Sequence, residues 1–298
     1  MKVRVGFGLG AGTALSDAGG FAEVVDQLED RGWDSLWMSE RVNGPAPDPL
    51  IALAIAAGRT TRLKFGTSVL VVPGRNPVLL AKELATLDRL SGGRMLPAVG
   101  IGAPDPLEHQ AFGVTREERA ALFDEILPLL RALWTGKPVH HDGPRFHLDG
   151  VFVEPTPVQE PYDVWLGGIA PSELRRVGRL GDGWLPSFIT PDDAAAARPV
   201  VEAAATAAGR HIDDEHWGAL ILYAPGGVPD RLREGLAKRR PDVDITTVVP
   251  ESLDGLRSTL EAFVARSFSK FVVVPVIDPD DWPKAIDTIG DAVLELQR

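Results

Sequence analysis

The chain has no cysteine among its 298 residues. Disulfides, thiolate metal sites and thiol nucleophiles are excluded together, so the fold must rest on packing. The cytoplasm is the expected location. Histidine is sparse at six, and His140, His141, His147, His211 and His216 lack the spacing of a metal motif. No metal is expected. Cations are outnumbered, 31 Lys plus Arg against 42 Asp plus Glu, for a net charge of −11. That balance opposes nonspecific attraction to nucleic acid, which begins with phosphate neutralisation by Lys and Arg. An anionic ligand must therefore be held by local donors. Long apolar runs are missing as well, because Pro, Gly or a charge interrupts each before the roughly 18 residues of a membrane span. The opening Val3-Arg4-Val5-Gly6-Phe7-Gly8-Leu9 lacks the flanks of an export signal, and no export is expected. No G-x-S-x-G elbow presents a serine nucleophile.

What is present is ample core material, 44% hydrophobic residues, arranged with a clear rhythm. Short apolar runs alternate with amphipathic stretches, the pattern of βα units that feed a parallel sheet. Eight runs qualify: Val3 to Leu9, Ser35 to Ser39, Leu63 to Val69, Met95 to Gly100, Asp163 to Leu166, Gly183 to Leu185, Ala219 to Leu222, and Phe271 to Pro275. Eight strands close a barrel, so the expected fold is α/β, a (β/α)8 TIM barrel formed by residues 1–298 as one domain.

Between the runs lie helices with apolar residues three and four apart. Phe21, Val24, Val25 and Leu28 share a face before Arg31-Gly32 stops that helix. A second helix runs from Pro77 to Ser91-Gly92-Gly93, a third from Arg116 to Trp134, a fourth starts at the Ser252 cap, and Trp282 to Leu296 closes the chain. Two insertions exceed a minimal barrel. Thr135 to Tyr162, before strand five, reads as a hairpin with its turn at His141-Asp142-Gly143. Pro225 to Pro250, after strand seven, carries a short basic helix.

In such a barrel the site forms at the C-terminal strand ends. That rule selects Glu40 and Arg41 after strand two, Ser68 and Val69 after strand three, Gly100, Ile101 and Gly102 after strand four, and Gly167, Gly168, Ile169 and Ala170 after strand five. Gly6, Gly8, Gly10 and Gly12 do not follow the order of a dinucleotide fingerprint, and read as close packing of the first strand and its loop or as close approach of a flat ligand to the backbone. Gly167-Gly168 precedes a helix at Pro171, whose free N–H groups and dipole suit a phosphate. A tight βα turn is the other reading of the same residues. Arg175 and Arg176 follow, at least one of them expected in solvent. Glu40 and Arg41 are either a polar clamp at the mouth or a solvated pair. His109 is either a proton donor facing the pocket or a surface histidine. Trp37 and Trp184 are expected near the mouth.

Taken in order, Gly32-Trp33-Asp34-Ser35-Leu36-Trp37, Gly66-Thr67-Ser68-Val69, Leu90-Ser91-Gly92-Gly93-Arg94 leading into Val99-Gly100-Ile101-Gly102, Trp165-Leu166-Gly167-Gly168 and Gly181-Asp182-Gly183-Trp184 resemble the luciferase-like monooxygenase family, in particular its branch dependent on coenzyme F420. The resemblance implies a flavin or deazaflavin ring across the strand ends. It also implies a non-proline cis peptide at Ser68-Val69 behind the ring, a ring and side-chain contact at Gly100 to Gly102, and a phosphate loop at Gly167 to Ala170. Two positions depart from the pattern. Glu40-Arg41 stands where Asp-His is common, and Ala103 stands where a glutamate often follows the strand-four glycines. The proton donor is therefore open among Glu40, Arg41 and His109.

The implied activity is hydride transfer between C5 of F420 and a small organic substrate, by a homodimer. Two further readings stay open, an FMN-dependent two-component monooxygenase and a non-catalytic cofactor carrier or sensor. A hydrolase or aldolase lacks a suitable nucleophile or Schiff-base lysine.

Overall fold

The structure, a computed structural model, describes residues 1–15 and 17–297. Strands β1 (Arg4–Leu9) and β2 (Ser35–Met38) are the first two staves of a parallel barrel. The third stave is split into β3 (Lys64–Thr67) and β4 (Leu70–Val71), and the fourth into β5 (Met95–Leu96) and β6 (Ala98–Gly100). An antiparallel hairpin, β7 (Val139–Asp142) and β8 (His147–Val151), precedes the fifth. The fifth to eighth are β9 (Trp165–Leu166), β10 (Gly183–Trp184), β11 (Gly218–Tyr223) and β12 (Lys270–Pro275). Parallel pairing runs β11-β12-β1-β2-β3-β5 and, higher up the barrel, β4-β6-β9-β10. Bridges Trp184–Trp217 and Ser187–Leu220 join β10 to β11, so the ring closes as a TIM barrel.

Both splits have local causes. Pro97 interrupts the fourth stave because it has no N–H to give to a ladder. The third is interrupted at Ser68–Val69, whose peptide is cis as the resemblance implied. The run expected to end at Val69 resumes through Val71.

Ten helices wrap the described barrel: α1 (Ala18–Arg31), α2 (Pro49–Arg59), α3 (Pro77–Leu90), α4 (Pro106–Ala111), α5 (Arg119–Leu133), α6 (Pro171–Leu180), α7 (Pro191–Ala207), α8 (Asp230–Arg239), α9 (Leu253–Val264) and α10 (Trp282–Val293). Side-chain caps fix many of their starts, among them Asp17, Asn76, Ser252 and Asp281. Phe21, Val24, Val25 and Leu28 are the buried face of α1, and Gly32 ends it in the left-handed conformation at φ 76°. Helix α5 starts three residues later than its periodicity suggested, because Thr115 Oγ1 bonds Glu118 Oε2 at 2.6 Å in a preceding turn.

The expected hairpin forms, with one correction. His140 and His141 lie on β7 rather than on the turn. Gly143 and Pro144 supply the turn, closed by Gly143 N–H to the Phe146 carbonyl at 3.0 Å. His141 Nε2 meets Glu125 Oε1 on α5 at 3.0 Å, which ties the strand to the barrel wall.

Side chains along the staves alternate between two cores. On β12, Phe271 and Val273 face the helices, while Val272 and Val274 join Trp37, Ala98, Trp165 and Leu185 inside the barrel. Trp37 explains two glycines. A Cβ on Gly66 would lie 2.2 Å from Trp37 Cε3, and one on Gly6 would lie 2.7 Å from its Nε1. Gly6, and likewise Gly8, where a Cβ would lie 2.5 Å from Val274 Cγ2, are thus packing residues, whereas Gly12 has nothing within 4 Å and packing does not account for it.

The barrel floor carries an ion cluster. Asp34, ahead of β2, pairs with buried Lys270 and, at 3.2 Å, with Lys64. Burial pushes Asp34 up, but Lys270 and Lys64 outweigh it and hold the carboxyl at about 2. The C-terminal rim is the opposite end, where the loops that follow the staves, including the α8 insertion, gather.

Candidate active site

A cavity of about 950 Å³ opens at that rim, at the upper end of the range for small-molecule sites. Residues after the first six staves line it, together with Leu220 of β11 and part of α8. Its floor is apolar, formed by Val69, Val99, Leu166, Leu185 and Leu220. Glu40, Arg41, Ser68, Val69, Gly100, Ile101, Gly102, Gly167 and Gly168 all border it. The four segments selected from sequence are therefore brought to one rim. Ile169, Ala170 and His109 do not line it.

Ser39 fastens the second stave to the third, its hydroxyl donating to the Ser68 carbonyl at 3.0 Å. Gly100 leaves room for Val69, since a Cβ there would lie 2.6 Å from Val69 Cγ2. The Val69 side chain is thereby fixed between the third and fourth staves at the cavity floor.

Glu40 is nearly enclosed, its side chain 6% exposed. One carboxylate oxygen accepts from Val71 N–H at 2.6 Å and the other pairs with Arg75. Burial pushes its carboxyl above the usual glutamate range, with Arg75 and the Val71 N–H pulling the other way. Arg41 is occupied differently. Its guanidinium binds Asp105 at 2.7 Å and Glu108 at 2.9 Å, and the Glu108 side chain is 3% exposed. A guanidinium stays protonated in proteins, so Arg41 holds the loop onto α4 and has no proton to trade. The His109 ring meets the Ala103 carbonyl at 3.2 Å and lies outside the cavity lining.

The loop after the fifth stave differs from a simple phosphate seat. Gly168 has φ 99°, a conformation that favours glycine. Glu173, at the third position of α6, reaches back so that Oε2 accepts from both Ile169 and Ala170 N–H groups, each at 2.9 Å. Two of the donors expected for an anion already hold a carboxylate. Arg176 lines the cavity and pairs with Asp124 at 2.6 Å, while Arg175 is exposed. One arginine at the site and one in solvent matches the sequence expectation.

Several lining residues were missed in the sequence. Buried Arg119, at the start of α5, donates to the carbonyls of Ile101, Gly102 and Ala103 at 3.2, 3.0 and 2.8 Å. It holds the loop after the fourth stave open, and no local motif announces it. Glu173 had a signal, the N-cap to N3 spacing. Phe188 reaches the cavity from the loop after the sixth stave, and Lys238 and Arg239 from the end of α8, placements that only the fold defines. The two tryptophans expected at the mouth are elsewhere. Trp37 fills the barrel interior, and buried Trp184 packs behind the rim, its indole N–H donating to the Gly168 carbonyl at 2.9 Å. Both rings are too large and apolar to leave these cores.

Among the described residues no cluster could hold a metal ion, and no helix is long and apolar enough to cross a membrane.

Comparison with known proteins gives consistent findings. The chain is 34% identical over 177 residues to the F420-dependent glucose-6-phosphate dehydrogenase of Kineococcus radiotolerans, covering 56% of this chain and 52% of that protein. The chain spans little more than half the length of the curated relatives it matches. Two solved structures share the fold across its whole length. The coenzyme F420 dependent tetrahydromethanopterin reductase of Methanopyrus kandleri aligns with TM-score 0.79 at 22% identity, covering 100% of each chain. An F420-dependent secondary alcohol dehydrogenase, in complex with an F420-acetone adduct, aligns with TM-score 0.81 at 20% identity and the same coverage. The model of the luciferase-like monooxygenase family matches residues 3–240. With that match across most of the barrel, the chain belongs to the luciferase-like monooxygenase family.

Proposed function

We propose that this chain is an F420-dependent oxidoreductase that moves a hydride between the deazaflavin C5 and a small organic substrate. The observation that carries the reading is the rim cavity. It combines an apolar floor centred on Val69, glycine-lined walls at 100, 102, 167 and 168, and cationic side chains at the edge. A flat tricycle with an anionic tail needs those three features together. F420, when bound, supplies a two-electron hydride donor or acceptor.

The chain's residues would divide the remaining work. Val69, Val99, Leu185 and Leu220 would carry the ring and keep water from its face. Gly100 to Gly102 would let the cofactor lie against the backbone. Gly167, Gly168 and Arg176 would meet its phosphate, because Glu173 occupies the next two N–H groups. Of the three proton-donor candidates Glu40 is favoured, since it borders the cavity and burial raises its carboxyl. Arg41 would act by position only.

The reading extends to one domain over residues 1–298, in the cytoplasm, working as a homodimer. Support for the dimer comes from apolar side chains exposed on neighbouring helices, Ile51 and Ile55 on α2 and Leu79 and Leu90 on α3, each more than half exposed.

Titration with F420 and FMN side by side tests the proposal, read by cofactor absorbance and tryptophan fluorescence and followed by turnover with alcohols and ketones. Tight binding of F420 and its reduction or oxidation by a substrate is the expected result. Binding of FMN alone would move the chain to the two-component monooxygenases. Binding without turnover would make it a carrier or sensor.

A further inference from the structure

The insertion after the seventh stave brings two cations, Lys238 and Arg239, to the cavity. Helix α8 presents Gly235, Lys238 and Arg239 to the cavity, whereas Arg231 and Arg233 on the same helix do not line it. Arg239 lies over the Phe188 ring, 5.3 Å from its centroid. Phe188 also borders the cavity and holds φ 58°, a conformation few bulky residues adopt. Arg240 locks that arrangement. It donates to the Phe188 carbonyl at 2.9 Å and binds Asp193 at 2.8 Å and Asp242 at 2.9 Å. Leu236 and Phe188 pack in one small core with Val228, Val248 and Val249, which holds α8 over the rim.

Cations in the last turn of a helix stabilise it through the dipole wherever they point, and that is the plain reading of this pair. Two observations go beyond it. In a chain with net charge −11, neither Lys238 nor Arg239 has an acidic partner among the described residues. The other arginines at the cavity are all engaged, Arg41 with Asp105 and Glu108, Arg176 with Asp124, and Arg119 with three carbonyls. The free positive charge of the site is thus concentrated on α8. The seventh stave, which α8 follows, stands four positions from the third in either direction round the ring, and Lys238 and Arg239 line the same cavity as Ser68 and Val69.

We propose that Lys238 and Arg239 form an anion-binding pole that takes a carboxylate or phosphate of a ligand whose apolar body rests on Val69. Phe188 would flank that anion with an apolar wall, and the guanidinium of Arg239 would supply a planar pair of donors. The inference deepens the proposed function by giving the class of group that the far end of the cavity recognises. Two sources share this chemistry: the glutamyl tail of F420 itself and an acidic substrate.

The test compares wild type with Lys238→Ala/Arg239→Ala in three titrations, using F420 with its glutamyl tail, the same cofactor without glutamates, and inorganic phosphate added to cofactor-saturated protein. Arg231→Ala/Arg233→Ala makes the same change in net charge away from the cavity, and Lys238→Arg/Arg239→Lys keeps the charge in place. Loss of about tenfold in affinity for the tailed cofactor alone assigns the pole to the tail. Unchanged cofactor binding with about tenfold weaker phosphate binding assigns it to an acidic substrate. The charge-keeping pair should bind within about threefold of wild type. If the alanine pair binds all three probes as wild type does, or if the distant pair loses as much, the pole does not exist. Failure of wild type to bind F420 at all would overturn the functional reading instead, and the same phosphate titration run on cofactor-free protein then reports on the pole.

Discussion

Replacing Gly168 by alanine tests the geometry of the candidate phosphate loop. The residue holds φ 99°, and a Cβ would lie 2.6 Å from Glu173 Cβ and 2.8 Å from its Oε2. Forcing an L side chain into that backbone region costs about 1–3 kcal/mol. The new methyl must also displace Glu173, which releases the N–H groups of Ile169 and Ala170 now bonded at 2.9 Å. Each such bond contributes roughly 1 kcal/mol at a partly exposed site. The combined loss is about 3–5 kcal/mol, which lowers Tm by about 6–10 °C in a chain of this size. Differential scanning calorimetry reads this directly, with Gly58→Ala as the control. Gly58 lies in α2 with nothing within 4 Å of its added Cβ, so that variant should melt at or slightly above the wild-type temperature. A Gly168→Ala protein melting within 2 °C of wild type would refute the argument, because neither the conformational cost nor the Glu173 clash could then be present.

Other consequences follow from particular contacts. Asp34, held at about 2 instead of 3.8, contributes about 2 kcal/mol that is fully present above pH 4 and lost as pH falls toward 2. Denaturant midpoints between pH 5 and pH 2.5 should show this loss, and Asp34→Asn, itself costing about 3 kcal/mol by leaving Lys270 buried without its partner, should abolish it. Arg41→Ala should cost about 2–3 kcal/mol of stability, because Glu108 loses a partner at a nearly closed site. Arg41→Ala with wild-type Tm and a shifted pH–rate profile would make Arg41 a participant in proton transfer. Glu40→Gln should lower turnover by about 10²-fold with little change in F420 affinity, since proton transfer by a placed side chain contributes that much. Ile55→Lys with Leu79→Lys should convert a dimer to a monomer in analytical ultracentrifugation, and an unchanged sedimentation coefficient would remove that face from the interface.

The barrel was legible because its signal is periodic and local. Phe271 to Pro275 and Val5 to Leu9 are apolar on both faces, as staves between two cores must be, and the caps at Ser252 and Gly32 are set by single residues. The rim was legible through the strand ends, since fold topology carries Glu40, Val69, Gly100 and Gly167 to one place whatever their neighbours are. What each side chain does there was not. Arg41 looked like a mouth residue, but its partners Asp105 and Glu108 lie more than sixty positions away, and no local pattern encodes such a pair. Trp37 and Trp184 followed strand-end positions into the wrong expectation because side chains alternate, and their turn points into the cores. The part played by Arg119, and the placement over the rim of the basic helix already legible between Pro225 and Pro250, became visible only once the chain had brought distant helices together.

The central claim is that residues 40, 68 to 69, 100 to 102 and 167 to 168 enclose a flat deazaflavin ring. A crystal structure of the protein grown with saturating F420 tests this most directly. The account predicts ring density stacked on Val69, between Gly100 and Leu185, with the phosphate beside Gly167, Gly168 and Arg176. Density for the ring at any other surface, or an empty rim at a ligand concentration that saturates binding in solution, would contradict it.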